Sequence, residues 1–251
     1  MSFSVKDGLF PIAQIKSGKY NREILYITDN PKSKDLGPQV DESVKPLMNT
    51  DTSEKRVVEY IAGPSGVGKT TIAIELIKNY LRLFPKTPFY LFSRTPWQED
   101  PAYKSLKRPP IQINLGEEDI DQDITSQFPH GSLIFFDDVT TIADKNIKKK
   151  IEHLICDILE VGRKARLNII ITNHLIVPID QAFARTILNE LQMLTIFPKS
   201  GAVQQITHVL KTYFGFSPIQ IKRILTLPSR WVRISRTYPQ YVLYDKGAYI
   251  P

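Results

Sequence analysis

The 251-residue chain has one cysteine, Cys156, so it can form no internal disulfide and no cysteine-rich metal site, which agrees with a reducing compartment. Cys156 itself reads as a helix packing residue. No apolar run approaches the roughly 18 residues needed to span a bilayer. The start, Met1 to Phe10, lacks the long apolar stretch behind basic residues that marks a secretory leader. These absences predict a protein that is neither secreted nor stably inserted in a membrane. Internal repeats at periods of about 20 to 50 residues are also missing, and the nearest thing to low complexity is the run Lys145 to Lys150. With 42% hydrophobic and 24% charged residues, the chain can bury a real core, which excludes disorder and collagen-like structure.

Charge is present in both signs, with 33 basic and 26 acidic side chains and a net +7. The first 55 residues hold eight of each sign, so the surplus lies in residues 56–251. Such a surplus permits an anionic partner without demanding one.

Residues 29–53 are rich in Pro, Asp, Ser and Lys and poor in aromatics, a linker composition. Residues 1–55 are therefore expected to form an N-terminal arm, with Glu23 to Ile27 as one short strand, ahead of a single domain over 56–251. In that domain strands are predicted at 56–62, 88–92, 111–115, 132–136, 167–172 and 194–197. Ile72, Leu76, Tyr80 and Phe84 recur at helical spacing and predict a helix over 71–84, stopped by Pro85. A second helix is marked by Ile147, Ile151, Leu154, Ile155, Ile158 and Leu159. Alternating strand and helix predicts an α/β fold with a mostly parallel central sheet and helices on both faces. Near the end, Ser217-Pro218 reads as an N-cap and first helical residue. Residues 230–235 and 241–245 could form a hairpin turning at Tyr238-Pro239.

The most specific signal is Gly63-Pro64-Ser65-Gly66-Val67-Gly68-Lys69-Thr70, a full GxxxxGKT between a predicted strand and a predicted helix, with Thr71 following. Such a loop wraps its backbone N–H groups around phosphate oxygens, and the helix behind it points its positive end at the anion. Lys69 would hold the outer phosphates of ATP, and Thr70 would offer its hydroxyl to Mg²⁺. The apolar strand Leu133 to Phe136 ends in Asp137-Asp138. Asp137 is the expected Mg²⁺-side carboxylate and Asp138 the candidate to orient or deprotonate the attacking water, although paired acids can also simply cap the next helix. The strand Asn168 to Thr172 ends at Asn173-His174, where Asn173 could sense the γ-phosphate. For His174 a loop role is expected. Gly162-Arg163-Lys164-Ala165-Arg166 supplies candidate arginine fingers, Arg163 first, with Arg94 or Arg166 as alternatives.

Together GPSGVGKT, LIFFDDV and EVGRKARLNIIITNH resemble the genome-packaging ATPases of large double-stranded DNA viruses, the vaccinia-type branch of the FtsK–HerA P-loop superfamily. The later segments LTLPSR and PQYVL are similar to that family's carboxyl-terminal region, so the likeness covers about residues 56–250. One departure is Asn173-His174, where relatives often carry glutamine. The resemblance implies a RecA-like ATPase core in a homo-oligomeric ring, hexamer or pentamer. It implies movement of double-stranded DNA into a capsid, contact with capsid or portal components, and a location in the virion or host cytoplasm.

A motor indifferent to sequence should grip phosphates. Basic candidates are Lys148, Lys149 and Lys150, Lys104 with Lys107 and Arg108, and Arg230, Arg233 and Arg236. The acidic run Glu117-Glu118-Asp119, Asp121 and Asp123 opposes DNA locally and reads as an exposed loop. A DNA helicase or replication-type ATPase, a nucleoside or nucleotide kinase, and a slow nucleotide switch share the same cradle and stand as alternatives.

Overall fold

Five short strands lie within the first 53 residues. The computed structural model describes residues 1–30, 32, 35–48, 56–113, 115, 128–139 and 142–251. The acidic run Glu117 to Asp123 and the end of the expected linker lie outside them. Two compact units divide the chain, Met1–Ser53 with Gln192–Pro251 in one and Glu54–Leu191 in the other. In the first, strands β1 (Ser2–Ser4), β2 (Phe10–Ile15), β3 (Ile24–Thr28), β4 (Gln39–Val40) and β5 (Val44–Pro46) occupy the stretch where one strand was expected. That expected strand is β3. An antiparallel sheet of order β1-β3-β2-β5 results. The other strands carry weak local signals, two serines in β1 and a lysine and proline in β5. Phe3, Ile12, Leu25 and Ile27 instead join Val40, Val44, Tyr241 and Leu243 in one buried cluster, so tertiary packing decides where propensity is mute.

The second unit follows the predicted alternation. It contains β6 (Val58–Ala62), α1 (Lys69–Leu83), β7 (Phe89–Ser93), a 3-10 turn at Pro101–Ser105, β8 (Ile111–Ile113), β9 (Leu133–Asp137), α2 (Lys145–Val161), β10 (Asn168–Asn173) and α3 (Gln181–Glu190). The strands lie in the order β6-β10-β9-β7-β8 and every neighbouring pair is parallel. Strands β6, β9 and β10 are buried along their whole length, which explains why they read as mostly apolar runs, interrupted in β6 by the buried Glu59, rather than as alternating ones. Register sets Asn173 beside Ala62 and Ser93 beside Asp137. The carboxyl ends of four strands therefore share one edge. The predicted elements agree with those observed to within one to three residues at their ends; α3 had no sequence expectation.

The chain then returns to the first unit with β11 (Met193–Ile196), α4 (Val203–Phe214), α5 (Pro218–Thr226), β12 (Val232–Ser235), β13 (Val242–Tyr244) and β14 (Gly247–Tyr249). Antiparallel pairing links β11 to β12, β12 to β13, β13 to β14 and β14 to β4. The expected hairpin is β12–β13, and the Tyr238–Pro239 peptide between them is cis. Ser217 caps α5 as expected: its hydroxyl accepts from the Gln220 amide, and the Gln220 side chain accepts from the Ser217 amide, a reciprocal capping box.

Within the second unit, Arg56 locks the ends of two helices. Its guanidinium donates to the carbonyls of Ile158, at 2.8 Å, and Leu159, and to the Glu190 carboxylate at 3.1 Å. Both carbonyls belong to the last turn of α2, where Ile158 also accepts from the Gly162 amide at 3.0 Å. Burial lowers the Arg56 pKa, partly offset by Glu190, yet the guanidinium stays charged because its ordinary value is so high. At the same helix end, a Cβ on Gly162 would stand 2.4 Å from the Ile158 carbonyl oxygen, so only glycine lets the chain turn there toward β10. Replacing Arg56 by Ala should cost about 2 to 4 kcal/mol by removing a buried, charged donor shared by the end of α2 and Glu190. Urea unfolding measures this, and an unchanged midpoint would show that α2 does not need the guanidinium.

Candidate functional site

The loop between β6 and α1 forms an anion cradle of backbone amides. Gly66 and Gly68 have φ of 76° and 102°, left-handed conformations that glycine adopts without steric penalty. A Cβ on Gly66 would meet nothing within 4 Å, so dihedral freedom, not space, calls for glycine there. Gly68 is the N-cap of α1. The free N–H groups of the first turn, including those of Lys69, Thr70 and Thr71, thus begin directly after the loop. The tip, Pro64, Ser65 and Gly66, is exposed, while Gly63 is buried and Val67 half-buried. The Gly63 amide donates to the Asn173 carbonyl at 3.0 Å, which ties the base of the cradle to the end of β10.

Asp137 terminates β9 with 8% of its surface exposed. The Thr172 hydroxyl donates to Oδ1 at 2.7 Å and the Tyr103 hydroxyl to Oδ2 at 2.8 Å. Thr70 Oγ1 lies 3.2 and 3.4 Å from the two oxygens. Burial pushes the Asp137 pKa up, and the hydrogen bonds from Thr172, Tyr103 and Thr70 oppose that rise. The predicted pair Thr70 and Asp137 is therefore together, as two hard oxygen donors of the kind Mg²⁺ takes. Tyr103 and Thr172 are additional. Thr172 could have been noticed as the hydroxyl ending a core strand; Tyr103 comes from a 3-10 turn 34 positions away and carried no sequence signal. Burial beside Asp137 drives the Tyr103 pKa far upward, so the phenol remains a donor.

Asp138 has φ of 49°, a left-handed turn that swings its carboxylate away from that of Asp137. Its amide donates to Thr172 Oγ1 at 2.9 Å. Its Oδ2 stands 3.4 Å from Lys69 Nζ and 3.2 Å from His174 Nε2. Lys69 is only 4% exposed and its ammonium also donates to the Pro64 carbonyl at 3.3 Å. His174, expected to serve only its loop, is instead a neighbour of the carboxylate. Asn173 is buried at the same edge, and its Oδ1 accepts from the Leu175 amide at 3.3 Å.

Candidate arginines separate by position. Arg94 is exposed directly after β7, whose last residue, Ser93, pairs with Asp137. Arg163 and Arg166 are exposed in the turn between α2 and β10, at the opposite end of the strands from the cradle. The structure thus brings neither into its own chain's site. Among the proposed DNA contacts, Arg233 must be withdrawn: it lies on β12 with no exposed surface. Arg236 donates to the Tyr213 carbonyl at 3.2 Å and Arg108 to those of Pro85, at 2.7 Å, and Thr87. Lys148 lies 3.8 Å from Glu152. Lys104, Lys107, Lys149, Lys150 and Arg230 are exposed. Cys156 is a half-buried residue of α2 whose thiol pKa burial raises, as expected of a packing residue. Among the described residues no helix is long and apolar enough to cross a membrane.

A buried aspartate with a raised pKa opposes folding when ionised. Between its unfolded and folded pKa values the native state holds more protons, so this group's contribution to stability falls as pH rises through that window. Asp137→Asn removes the cost. The variant should unfold in urea at a midpoint at least equal to wild type at pH 7, and its advantage should shrink as pH is lowered through the window. A variant clearly less stable at pH 7 would contradict the assigned sign.

No protein-family model matches the chain. Over 239 residues it is 37% identical to the uncharacterized protein V3 of the Sputnik virophage, covering 95% of this chain and 94% of that protein. Among solved structures, B204, the DNA-packaging ATPase of Sulfolobus Turreted Icosahedral Virus, matches with a TM-score of 0.51 at 10% identity, over 77% of this chain and 98% of that one. The pCW3 conjugation coupling protein TcpA, in its monomer form with ATPγS, matches with a TM-score of 0.51 at 12% identity, over 97% and 78% of the two chains. At such identities the two structures speak for fold, and the fold is the one that viral genome-packaging NTPases and FtsK–HerA-type ATPases share. By its near full-length identity, the chain belongs to the family of the Sputnik virophage protein V3.

Proposed function

We propose that the chain is an ATP-hydrolysing motor that moves double-stranded DNA into a viral capsid, working as a homo-oligomeric ring. The observation that carries this reading is the meeting of Lys69, Thr70, Asp137 and Asp138 at the carboxyl edge of a parallel sheet, the place where open α/β sheets bind ligands. The fold of B204 and the virophage relative support the viral assignment. ATP suits the donor set: an amide cradle ending in a buried lysine. Mg²⁺ suits Thr70 and Asp137, and when bound it would offset charge on the terminal phosphates.

In this mechanism Lys69 leaves Asp138 for the β- and γ-phosphates. Asp138 is then free to take a proton from the water that adds to the γ-phosphorus as the bond to the bridging oxygen breaks and ADP departs. Asn173 reports the γ-phosphate to the loop through the Gly63 amide that its carbonyl holds. An arginine from a neighbouring subunit, Arg163 first and Arg94 or Arg166 otherwise, stabilises charge in the transition state. Capsid or portal components dock the ring at the virion, or in the host cytoplasm where particles assemble.

Turnover of Mg-ATP with and without linear duplex DNA tests the reading. Duplex should raise the rate, Lys69→Ala should abolish it, and Asp138→Asn should retain nucleotide while losing about 100-fold or more in kcat. Mixing Arg163→Ala with Lys69→Ala subunits should partly restore turnover where two chains meet. Turnover indifferent to DNA but dependent on a small phosphate acceptor would replace the motor with a kinase, and strand separation at a fork with a helicase.

A further inference from the structure

Charge is segregated along this chain far more sharply than its total suggests. Residues 54–191 hold 18 basic and 18 acidic side chains, whereas residues 192–251 hold eight basic side chains and a single acid, Asp245. From Leu191 to Tyr244 there are seven basic residues and no acidic one. Inside that acid-free stretch lie α4 and α5, joined by only three residues, Gly215, Phe216 and Ser217. Two helices linked by a short turn containing glycine are the frame of the helix-turn-helix, whose second helix enters the major groove of DNA while the first crosses the backbone.

The turn is built to hold one geometry. Gly215 has φ of 71°, and a Cβ there would meet nothing within 4 Å, so the left-handed backbone alone calls for glycine. The Phe216 amide donates back to the Leu210 carbonyl at 3.1 Å, and Ser217 then caps α5. Both helices are also pinned to their own unit. Arg236 and Gln240 donate to the Tyr213 and Phe214 carbonyls at the end of α4, at 3.2 and 3.1 Å. Arg223 of α5 stacks on the Tyr249 ring at 3.8 Å and donates to Gln39 Oε1 at 2.9 Å. What α5 leaves outward is Ile219, Lys222 and Thr226, a stripe at three- and four-residue steps in which all three are exposed, Ile219 by 82%. Lys211 of α4, also exposed, borders the same groove between the helices as Lys222. An isoleucine set beside a lysine and a hydroxyl suits the major groove, where thymine methyl groups adjoin hydrogen-bond acceptors and phosphates flank both. A protein partner would call for a continuous apolar area, and the stripe offers one apolar side chain.

We infer that α4 and α5 form a DNA-reading helix-turn-helix: α5 lies in the major groove with Ile219 against a thymine methyl and with Lys222 and Thr226 toward base edges, while Lys211 on α4 holds a phosphate. The motor proposed above needs only backbone contacts, so this element adds selection of a DNA sequence to it. It rests on that reading for its partner, duplex DNA, but its test needs no turnover.

The experiment offers the full-length protein, without nucleotide, a pool of duplexes of about 30 base pairs with randomised centres, long enough for two half-sites one helical turn apart. The enriched duplex is then labelled and titrated by fluorescence anisotropy. Urea midpoints first establish that each variant folds as wild type does. Wild type should enrich one sequence that contains thymine. Its thymines are replaced by uracil one at a time; at one position the loss of the methyl should weaken wild type about fourfold, the worth of one buried methyl, and make no difference to Ile219→Ser. Lys211→Ala should weaken every duplex by the same factor and lower the slope of log affinity against log salt by about one. No enriched sequence, indifference to every uracil, or Lys211→Ala binding as wild type does overturns the inference, and general duplex retention in that case leaves the motor reading standing. Sequence selection by a protein that never turns over Mg-ATP overturns the motor and keeps this element. If the variants keep the duplex but light scattering shows them losing a wild-type oligomer, the face is a subunit contact and the inference fails.

Discussion

The site depends on the Asp137 carboxylate being held, only 8% exposed, at the carboxyl edge of a buried parallel sheet. Strands β6, β9 and β10 are buried along their length, and a carboxylate left bare there would either take up a proton or force the strand end into water. Thr172 from the neighbouring strand and Tyr103 from a distant turn oppose this by donating to both oxygens. Thr70 adds a third hydroxyl within reach, which joins the cradle helix to the acid strand. Geometry follows from that one satisfied charge: the end of β9 fixes Asp138, and the Asp138 amide returns to the same Thr172 hydroxyl.

That arrangement also explains why Lys69 rests where it does. With 4% of its surface exposed, its ammonium needs an anion nearby, and Asp137 already has three hydroxyl neighbours. Asp138 is the remaining carboxylate, turned toward Lys69 by its left-handed backbone. In the proposed mechanism ion pair and phosphate would compete for one cation, so the group proposed to activate water would be released by the substrate on which that water acts. His174 Nε2 lies 3.2 Å from the same oxygen, a neighbour that Asp138 would keep if Lys69 turned to phosphate.

Much of this was legible in the sequence because the relevant rules are local. GxxxxGKT states a turn, a helix start and a donor set within eight residues; the apolar runs ending in Asp137-Asp138 and Asn173-His174 state which strands are central and where they stop. Tyr103 was not legible, because a tyrosine in a loop is marked as a carboxylate partner only by a fold that returns it to β9. Similarly, β1 and β5 carry weak strand signals, since their pairing is imposed by Phe3, Ile12 and Val44 packing with Tyr241 and Leu243 from the other end of the chain. Arg233 erred in the opposite direction. Named with Arg230 and Arg236 as a basic candidate, Arg233 instead lies within β12, every residue of which is buried, while the other two flank the strand.

The distribution of charge bears on how the proposed activity would work. The stretch that holds the candidate cradle, residues 54–191, is neutral in sum, so in that reading phosphate is held by placed amides and one buried ammonium rather than by a general positive field. Local donors select a triphosphate by geometry, whereas a diffuse field would attract any polyanion, including the duplex, into the same cleft. The whole surplus lies instead in residues 192–251, outside the stretch that builds the cradle, so attraction of a nucleotide and attraction of any other anion rest on separate side chains.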